Sequence, residues 1–391
     1  MNLQKLFKDT FTVILEPVTP VHVWSGKDAA VGVDAIIHKD ELILVDIEDT
    51  LKKIPEDLLE SFVELSRSVG STKALTNLLE KLKSRGLISG LKISVQTEPE
   101  IAPRSGVVKV QHEYVVPGSE LKGYIRTGII KKRLIESRNA SEIIEKGVDL
   151  EGEAKNAGIG VEAQLLRKWR PKTQRGFIDA LSYISVSDPL EYINVKMHLR
   201  ELIVFHIPDL SRVATLYAVT FSEGRLKYRV TISTTKKFGF YSKHPERYVK
   251  ELEEITAEID KLVNTMGNRS WLLSALRDFG CDLIKIELDK LKEVRSRGHV
   301  ELMKYEELLK KLKGDLCDSS THCVPARIGF MAGHESKTII PEVKRYTPKI
   351  YDEIRASMEQ RLKRTWDART LKLTKVNGDL VGIGWCKLCI E

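Results

Sequence analysis

The sequence predicts an α+β protein made of two modules in tandem. Three observations carry that reading. Short runs whose apolar residues alternate with period two are interleaved with amphipathic runs of helical period. The strands and helices follow no strict βαβ rhythm, which suits α+β modules. The alternation of the first half recurs in the second, and 391 residues are enough for at least two cores. The boundary is placed near residue 200, giving modules 1–200 and 201–391.

In the first module, "FTVILEPV" (11–18) alternates like a strand, and "DAIIHKDELILVD" (34–46) reads as a hairpin turning at Lys39-Asp40. Two helices follow. One begins near Pro55 with Glu56 and Asp57 in its opening turn; the other runs through "TKALTNLLEKLKS" and stops at Gly86. Strand-like runs return at 91–97 and 107–116. After a turn at Pro117-Gly118, the residues Leu121, Ile125 and Ile129 recur at helical spacing, with Ser119 as the expected N-cap. Residues 147–177, rich in glycine and charge, read as a basic loop or hairpin insertion before the strand "LSYISVSD" (181–188).

In the second module, "ELIVFHI" (201–207), "TLYAVTF" (215–221) and "KYRVTIS" (227–233) read as strands, the last two joined at Glu223-Gly224. A helical insertion spans 245–313, with helices around 245–264, 268–279 and 299–313. A glycine-containing loop at 327–338, a helix at 349–363 and two strands, "TLKLTKV" and "LVGIGWCKL", complete the reading.

Hydrophobic content of 42% and charged content of 30% describe an ordinary globular chain. No apolar run approaches the roughly 18 residues of a membrane helix, and "MNLQKLFKDT" lacks the apolar core of a signal peptide. A cytoplasmic protein is expected. The net charge of +8 is unevenly spread: residues 1–60 hold six Lys/Arg against twelve Asp/Glu, and 251–320 hold twelve against fifteen. The excess gathers in 61–138, 201–250 and 321–391, with clusters such as "RKWRPKTQR" (167–175), "KKFGFYSKH" (236–244) and "RLKRTWDAR" (361–369). Cations threaded with aromatic rings suit a single-stranded polyanion, because cations track phosphates while rings stack on bases. A solvated charged face can give the same pattern. Three clusters together favour nucleic acid.

The stretch "VPGSELKGYIRTGIIKKRL" (116–134) sharpens this. With Ser119 as N-cap, Lys122 takes the N3 place where Glu or Gln would close a capping box, and Arg126 follows one turn on. Free N–H groups at a helix start bind anions, Gly118 and Gly123 let a phosphate chain approach the backbone, and both cations add charge-assisted bonds. An outside polyanion would then neutralise them. The bland alternative is that both side chains enter solvent or meet acids from elsewhere in the chain.

Taken with "PVTPVHVWSG" (17–26), the "SVSD" strand end, "RIGFMAGHESKT" (327–338) and "GIGWCKL" (382–388), the order of motifs resembles the RAMP superfamily of CRISPR-associated proteins. Within it, the resemblance is to the fifth subunit of the type III-A (Csm) effector complex. It implies two tandem ferredoxin-like (RRM-like) domains that bind CRISPR RNA near its 3′ end and cap a filament of backbone RAMP subunits. Carried over, the RNA-binding residues would be His22, Ser25 and Gly26 at the strand-end corner. At the helix start they would be Pro117, Gly118, Ser119, Lys122, Gly123 and Arg126, and in the glycine loop Arg327, Gly329, Gly333, His334 and Lys337. Residues 147–177 would lie where related subunits project a thumb-like hairpin, so that Arg167, Lys168, Trp169, Arg170, Lys172 and Arg175 clamp phosphates and stack on bases. Trp24 departs from the small residue usual in the corner, and Cys386 with Cys389 are outside the pattern, so none of these inherits a role.

The glycine loop is no Walker loop, since Ser336 rather than Gly precedes Lys337-Thr338. No nucleotide or other cofactor is expected. The five cysteines are the rival signal. The spacing of Cys386 and Cys389, with Cys317, His322 and Cys323 upstream, allows a zinc site to be imagined. On a strand, however, Cys386 and Cys389 point to opposite faces, so ordinary buried thiols are the expectation, ahead of metal and of disulfides. For catalysis, His22, His112, His206 and His334 are candidates, but nothing in the sequence brings two together, and Asp188 reads as structural. The expected protein is a non-catalytic RNA-binding subunit. A RAMP-type endoribonuclease and a zinc-dependent interaction module are the alternatives.

Overall fold

Alternation makes Phe7–Pro17 (β1) a strand, with Phe11, Val13 and Leu15 turned into the core. The computed structural model describes residues 7–38, 41–67, 72–95, 106–148, 158–169, 177–207, 209–233, 246–317, 321–363 and 370–391. After β1 come β2 (Trp24–Ala30) and the hairpin β3 (Ala35–His38) and β4 (Glu41–Val45), in which Ala35 faces Leu44 and His38 faces Glu41. Its turn, Lys39-Asp40, lies outside the described residues. Asp46 caps α1 (Ile47–Leu51), and α2 (Glu56–Arg67) and α3 (Thr72–Ser84) occupy the expected places. Gly86 ends α3 at φ 70°, a left-handed conformation that glycine adopts without strain.

The chain continues through β5 (Gly90–Val95), β6 (Val107–Gln111), α4 (Gly118–Glu136), α5 (Ala140–Gly147) and α6 (Ile159–Leu166). The strands β7 (Arg167–Trp169) and β8 (Phe177–Asp179) pair antiparallel, so the insertion expected in 147–177 contains a hairpin. Then follow β9 (Ile184–Val186), β10 (Glu191–His206) and β11 (Arg212–Ser233). The helical insertion consists of α7 (Glu246–Met266), α8 (Arg269–Arg295) and α9 (Met303–Leu316). Last come β12 (Cys323–Arg327), α10 (Ile340–Tyr346), α11 (Pro348–Leu362), β13 (Thr370–Val376), β14 (Asp379–Gly382) and β15 (Trp385–Ile390).

Among the described residues, thirteen strands share one mixed sheet whose backbone order is β12-β15-β1-β11-β10-β5-β4-β3. The largest core lies where α4, α7, α8 and α9 cover β1, β11 and β15. A smaller one holds α2 and α3 against Ile36 of β3. β10 runs through residue 200 and pairs along most of its length with β11. None of the described helices is long and apolar enough to cross a membrane.

Several strand boundaries differ from expectation: β6 ends at Gln111 rather than at 116, β9 begins at Ile184 rather than at 181, β10 begins at Glu191 rather than at 201, and two further differences are due to a glycine. The runs 215–221 and 227–233 form the single strand β11, and Glu223-Gly224 is an irregularity within it rather than a turn. Gly224 has φ 103°, and a Cβ there would lie 2.5 Å from Asn194 O. Conversely, "LVGIGWCKL" is broken into β14 and β15 by Gly384, at φ 89°, whose backbone abuts Ile328 O.

The cysteines also differ. Cys281–Cys317 and Cys323–Cys389 are disulfides, which corrects the expectation of ordinary thiols at these four positions. Cys386 alone is a buried free thiol, its ionisation pushed far up by burial.

Candidate nucleic-acid interface

The start of α4 is built differently from its sequence signature. Pro117 is the N-cap, and the first free N–H, that of Gly118, donates to Asp188 Oδ1 at 2.8 Å. Ser119 is therefore the second helical residue, and the N3 place belongs to Glu120, the charge that suits the helix dipole. This corrects both the cap and the supposed cation at N3; Lys122 sits in the second turn. Asp188 is structural, as expected. Gly118 is required by packing, since a Cβ would overlap Ser187 O, and it is not free for a phosphate. Gly123 is exposed, with nothing within 4 Å of where its Cβ would point.

Two acids gather the predicted cations. Glu162 of α6 receives Arg126 on one side and Arg167 Nη2, at 2.7 Å, on the other. Arg167 also reaches Asp179 at 3.2 Å. Glu120 accepts from Gly329 N–H at 3.2 Å and from Lys337 Nζ at 3.1 Å. The chain's own acids thus neutralise Arg126, Arg167 and Lys337, a task that the sequence alone assigns to an outside polyanion. Lys122 has no ion pair among the described residues. Partial burial pushes its ammonium down, Asp179 opposes that and Arg126 adds to it. Between these groups, α10 and α11 lies a cavity of about 540 Å³ with apolar walls that include Tyr124, Ile130, Val343 and Met358.

The corner 17–26 packs onto the glycine loop. Phe330 N–H donates to His22 O at 2.6 Å, and Gly329, at φ 108°, lets the two backbones touch. His22 is 0% exposed, its Nδ1 held 2.8 Å from Val219 O and 3.0 Å from Gln111 Oε1, and burial lowers its pKa. His22 is therefore a core residue and cannot touch RNA from that position. Ser25 and Gly26 stay at the surface.

Beside them is a group that sequence reasoning missed. Trp24 and Phe330 are each 39% exposed, their ring centroids 6.0 Å apart, and Lys109 Nζ lies 4.2 Å from the Trp24 centroid and 5.8 Å from that of Phe330. Lys109 is also paired with Asp28 at 3.2 Å. Exposed rings with an ammonium between them are groups that can stack on bases and pair with phosphates. Trp24 stands in the quoted corner and Phe330 in the quoted loop, so the signal was two aromatic residues each flanked by a predicted contact.

Arg327 also proves structural. It is 5% exposed, pairs with the fully buried Glu287 at 2.9 Å and donates through Nε to Ile383 O. This corrects its assignment to RNA. Farther along the loop, Gly333 has φ 91°, and His334 lies 3.5 Å from Glu335. In the hairpin, Lys168 pairs with Glu258 at 2.5 Å, and Trp169 pairs through its backbone with Phe177. Arg170, Lys172 and Arg175 lie outside the described residues, as do 236–244 and most of 361–369. The candidate histidines have separate neighbours: Tyr114 for His112, Asp209 for His206, and Glu335 for His334.

Glu335 gives the loop a pH dependence. Burial opposes its ionisation, but Lys290, at 2.6 Å, and His334 hold its pKa at about 2, below the ordinary 4.5. A carboxyl depressed in the folded state adds stability above its unfolded pKa, and that stability is lost as the pH falls through the folded value. The unfolding free energy from urea titrations should therefore drop between pH 4.5 and about 2, by up to about 3 kcal/mol from this group. In Glu335→Gln that limb should flatten; an unaltered limb would contradict the assignment.

Neither a protein-family model nor a curated protein matches the chain. Solved structures do. A chain in the cryo-EM structure of a Csm–crRNA–target RNA ternary complex of a type III-A CRISPR-Cas system superposes with a TM-score of 0.61 at 15% identity, covering 97% of this chain and 100% of that one. The crystal structure of T. onnurineus Csm5 superposes with a TM-score of 0.53 at 15% identity, covering 95% and 99%. At such identity the likeness is one of fold, and it runs nearly end to end. The chain has the fold of T. onnurineus Csm5 and of that chain of the Csm complex, in line with the resemblance that its motifs carry.

Proposed function

We propose that the chain is a cytoplasmic CRISPR RNA-binding subunit of a type III-A (Csm) interference complex. It caps the filament of backbone RAMP subunits near the 3′ end of the guide, supports guide maturation and antiviral defence, and does not cut RNA itself. The observation that carries this reading is the near-complete likeness of fold to a chain seen within a Csm–crRNA–target RNA complex. Two surface features support it: the Trp24–Lys109–Phe330 platform, and Lys122 beside the open backbone at Gly123. Two ferredoxin-like units sharing one sheet through β10 and β11 belong to the same reading. Guide sequence matters little, because base pairing reads the target while the protein holds backbone and shape.

The test is a salt series of affinities for single-stranded RNA carrying a CRISPR repeat-derived end. Lys122→Ala/Arg126→Ala and, separately, Lys109→Ala should each weaken binding, and each phosphate that is no longer neutralised should reduce the log–log salt slope by about 0.7. Arg167 still pairs Glu162 when Arg126 is removed, so the fold tolerates the change. Gly123→Ala separates binding from folding: a methyl there meets nothing and favours the helix by up to about 1 kcal/mol, yet it obstructs a strand lying on α4. Unchanged affinity and slope in all three variants would remove both surfaces from the interface. The RNA should be recovered intact; cleavage would favour the endoribonuclease.

A further inference from the structure

The edge of the sheet carries soft metal ligands for which the RNA-binding reading has no use. β12 is the edge strand beside β15, and Cys323 and Cys389 are direct register partners across that pair. Cross-strand partners project to one face, so their sulfurs are neighbours. His322 immediately precedes Cys323, and its ring nitrogen and both sulfurs all lie within 4.8 Å of one another. The backbone behind the three is fixed. Ile390 N–H donates to His322 O at 3.0 Å, the Thr321 hydroxyl donates to Cys323 O at 2.8 Å, and Arg277 donates to Thr321 O. The remaining cysteines are elsewhere: Cys281 and Cys317 are bonded to each other, and Cys386 is a free buried thiol three residues from Cys389 along β15, a spacing that alternation assigns to the opposite face.

We propose that His322, Cys323 and Cys389 are a redox-gated zinc site, bound to one zinc ion when the cysteines are reduced and closed by the disulfide when they are oxidised. Two thiolates and an imidazole suit zinc rather than the hard cations, which take oxygen ligands. Around a tetrahedral zinc such atoms stand roughly 3.5–3.8 Å apart, so the imidazole moves in and the sulfurs move apart by side-chain rotation. A disulfide alone has no need of an imidazole beside it. His322 is exposed and the two cysteines are buried, so the fourth position opens outward on the histidine side, to water or to a side chain of another subunit.

The chemistry balances with a dithiol reductant of the thioredoxin class. That reductant becomes a disulfide and delivers two electrons and two protons, the Cys323–Cys389 bond breaks, and two thiols form. Zinc then displaces both thiol protons to solvent as two Zn–S bonds and one Zn–N bond form. Closure is the reverse: a disulfide oxidant takes two electrons from the thiolates and two protons from solvent as it becomes a dithiol, the Cys323–Cys389 bond re-forms and zinc is released. Either state ties β12 to β15, but only the reduced state presents a metal with an open position.

The full chain, purified with a phosphine reductant and dialysed against trace zinc, is assayed by elemental analysis. About one zinc per chain is expected, falling nearly to none after oxidation to the disulfide. Cobalt(II) in its place should show the intense bands of a tetrahedral thiolate site. His322→Ala, at an exposed position, should weaken zinc at least about 10-fold, Cys323→Ser/Cys389→Ser should abolish it, and Cys281→Ser/Cys317→Ser should retain it. Should the Cys323/Cys389 variant fail to fold, His322→Ala and the cobalt spectrum decide. Reduced protein without zinc, zinc bound with unchanged affinity in His322→Ala, or zinc absent once Cys281 and Cys317 are replaced would each overturn the site, without bearing on RNA binding.

Discussion

Glu287→Ala should destabilise the fold by about 3–5 kcal/mol, measured as a fall in the urea midpoint with the slope of the transition retained. Glu287 is fully buried in α8. Its carboxylate lies 2.9 Å from Arg327 Nη1 and 3.7 Å from Lys290 Nζ, and accepts from the Tyr305 hydroxyl at 2.9 Å, which in turn accepts from Trp385 Nε1 at 2.8 Å. Burial disfavours the charge on Glu287, but Arg327 and Lys290 outweigh that and keep its pKa low. Removing it leaves the guanidinium of Arg327 without its counter-charge inside the protein. The cost comes from that orphaned charge, so Glu287→Leu/Arg327→Met should recover most of the loss. A double variant no more stable than Glu287→Ala would refute this account. The recovered double variant should also bind RNA as the wild type does, because Arg327 is internal.

Gly280→Ala should cost at least about 2 kcal/mol, read in the same unfolding experiment. Gly280 lies where α8 presses on β12, and a Cβ there would overlap Pro325 O, with Pro325 Cγ only 3.0 Å away. Backbone cannot rotate aside as a long side chain can, so the helix must lift from the strand. The contrast is Gly123→Ala in α4, where a methyl meets open space and the intrinsic preference for alanine raises stability. One substitution type, made in two helices, should therefore have opposite signs. If both lower stability alike, the close approach at Gly280 is not what its environment imposes.

Local pattern was enough to locate most elements. The alternation of Phe11, Val13 and Leu15, the hairpin at 35–45 and the apolar faces of α2, α3 and α7 follow from period alone. What the sequence concealed depends on distant partners. Glu223-Gly224 has turn composition, yet β10 runs past it and makes it an irregularity in β11. Ser119 has the chemistry of a cap, but Asp188, 70 residues away, occupies the Gly118 N–H. Lys337 and Arg126 look free until Glu120 and Glu162 arrive from other elements. Arg327 and His22 carry polar groups that, from sequence, belong outside; their partners Glu287, Gln111 and Val219 O lie far along the chain. The aromatic platform was hidden for the opposite reason. Trp24 and Phe330 approach only because Gly329 lets the loop lie against the corner.

The place of β1 between β11 and β15 bears on biosynthesis. Trp385 N–H bonds the Thr19 hydroxyl across 366 residues, and Pro17 pairs with Cys386. While translation is under way, one flank of β1 waits for β15, so the nascent polypeptide carries an open β edge until residues 385–390 are made. Closure of the sheet is then an event of high contact order that waits for residues 385–390 to emerge.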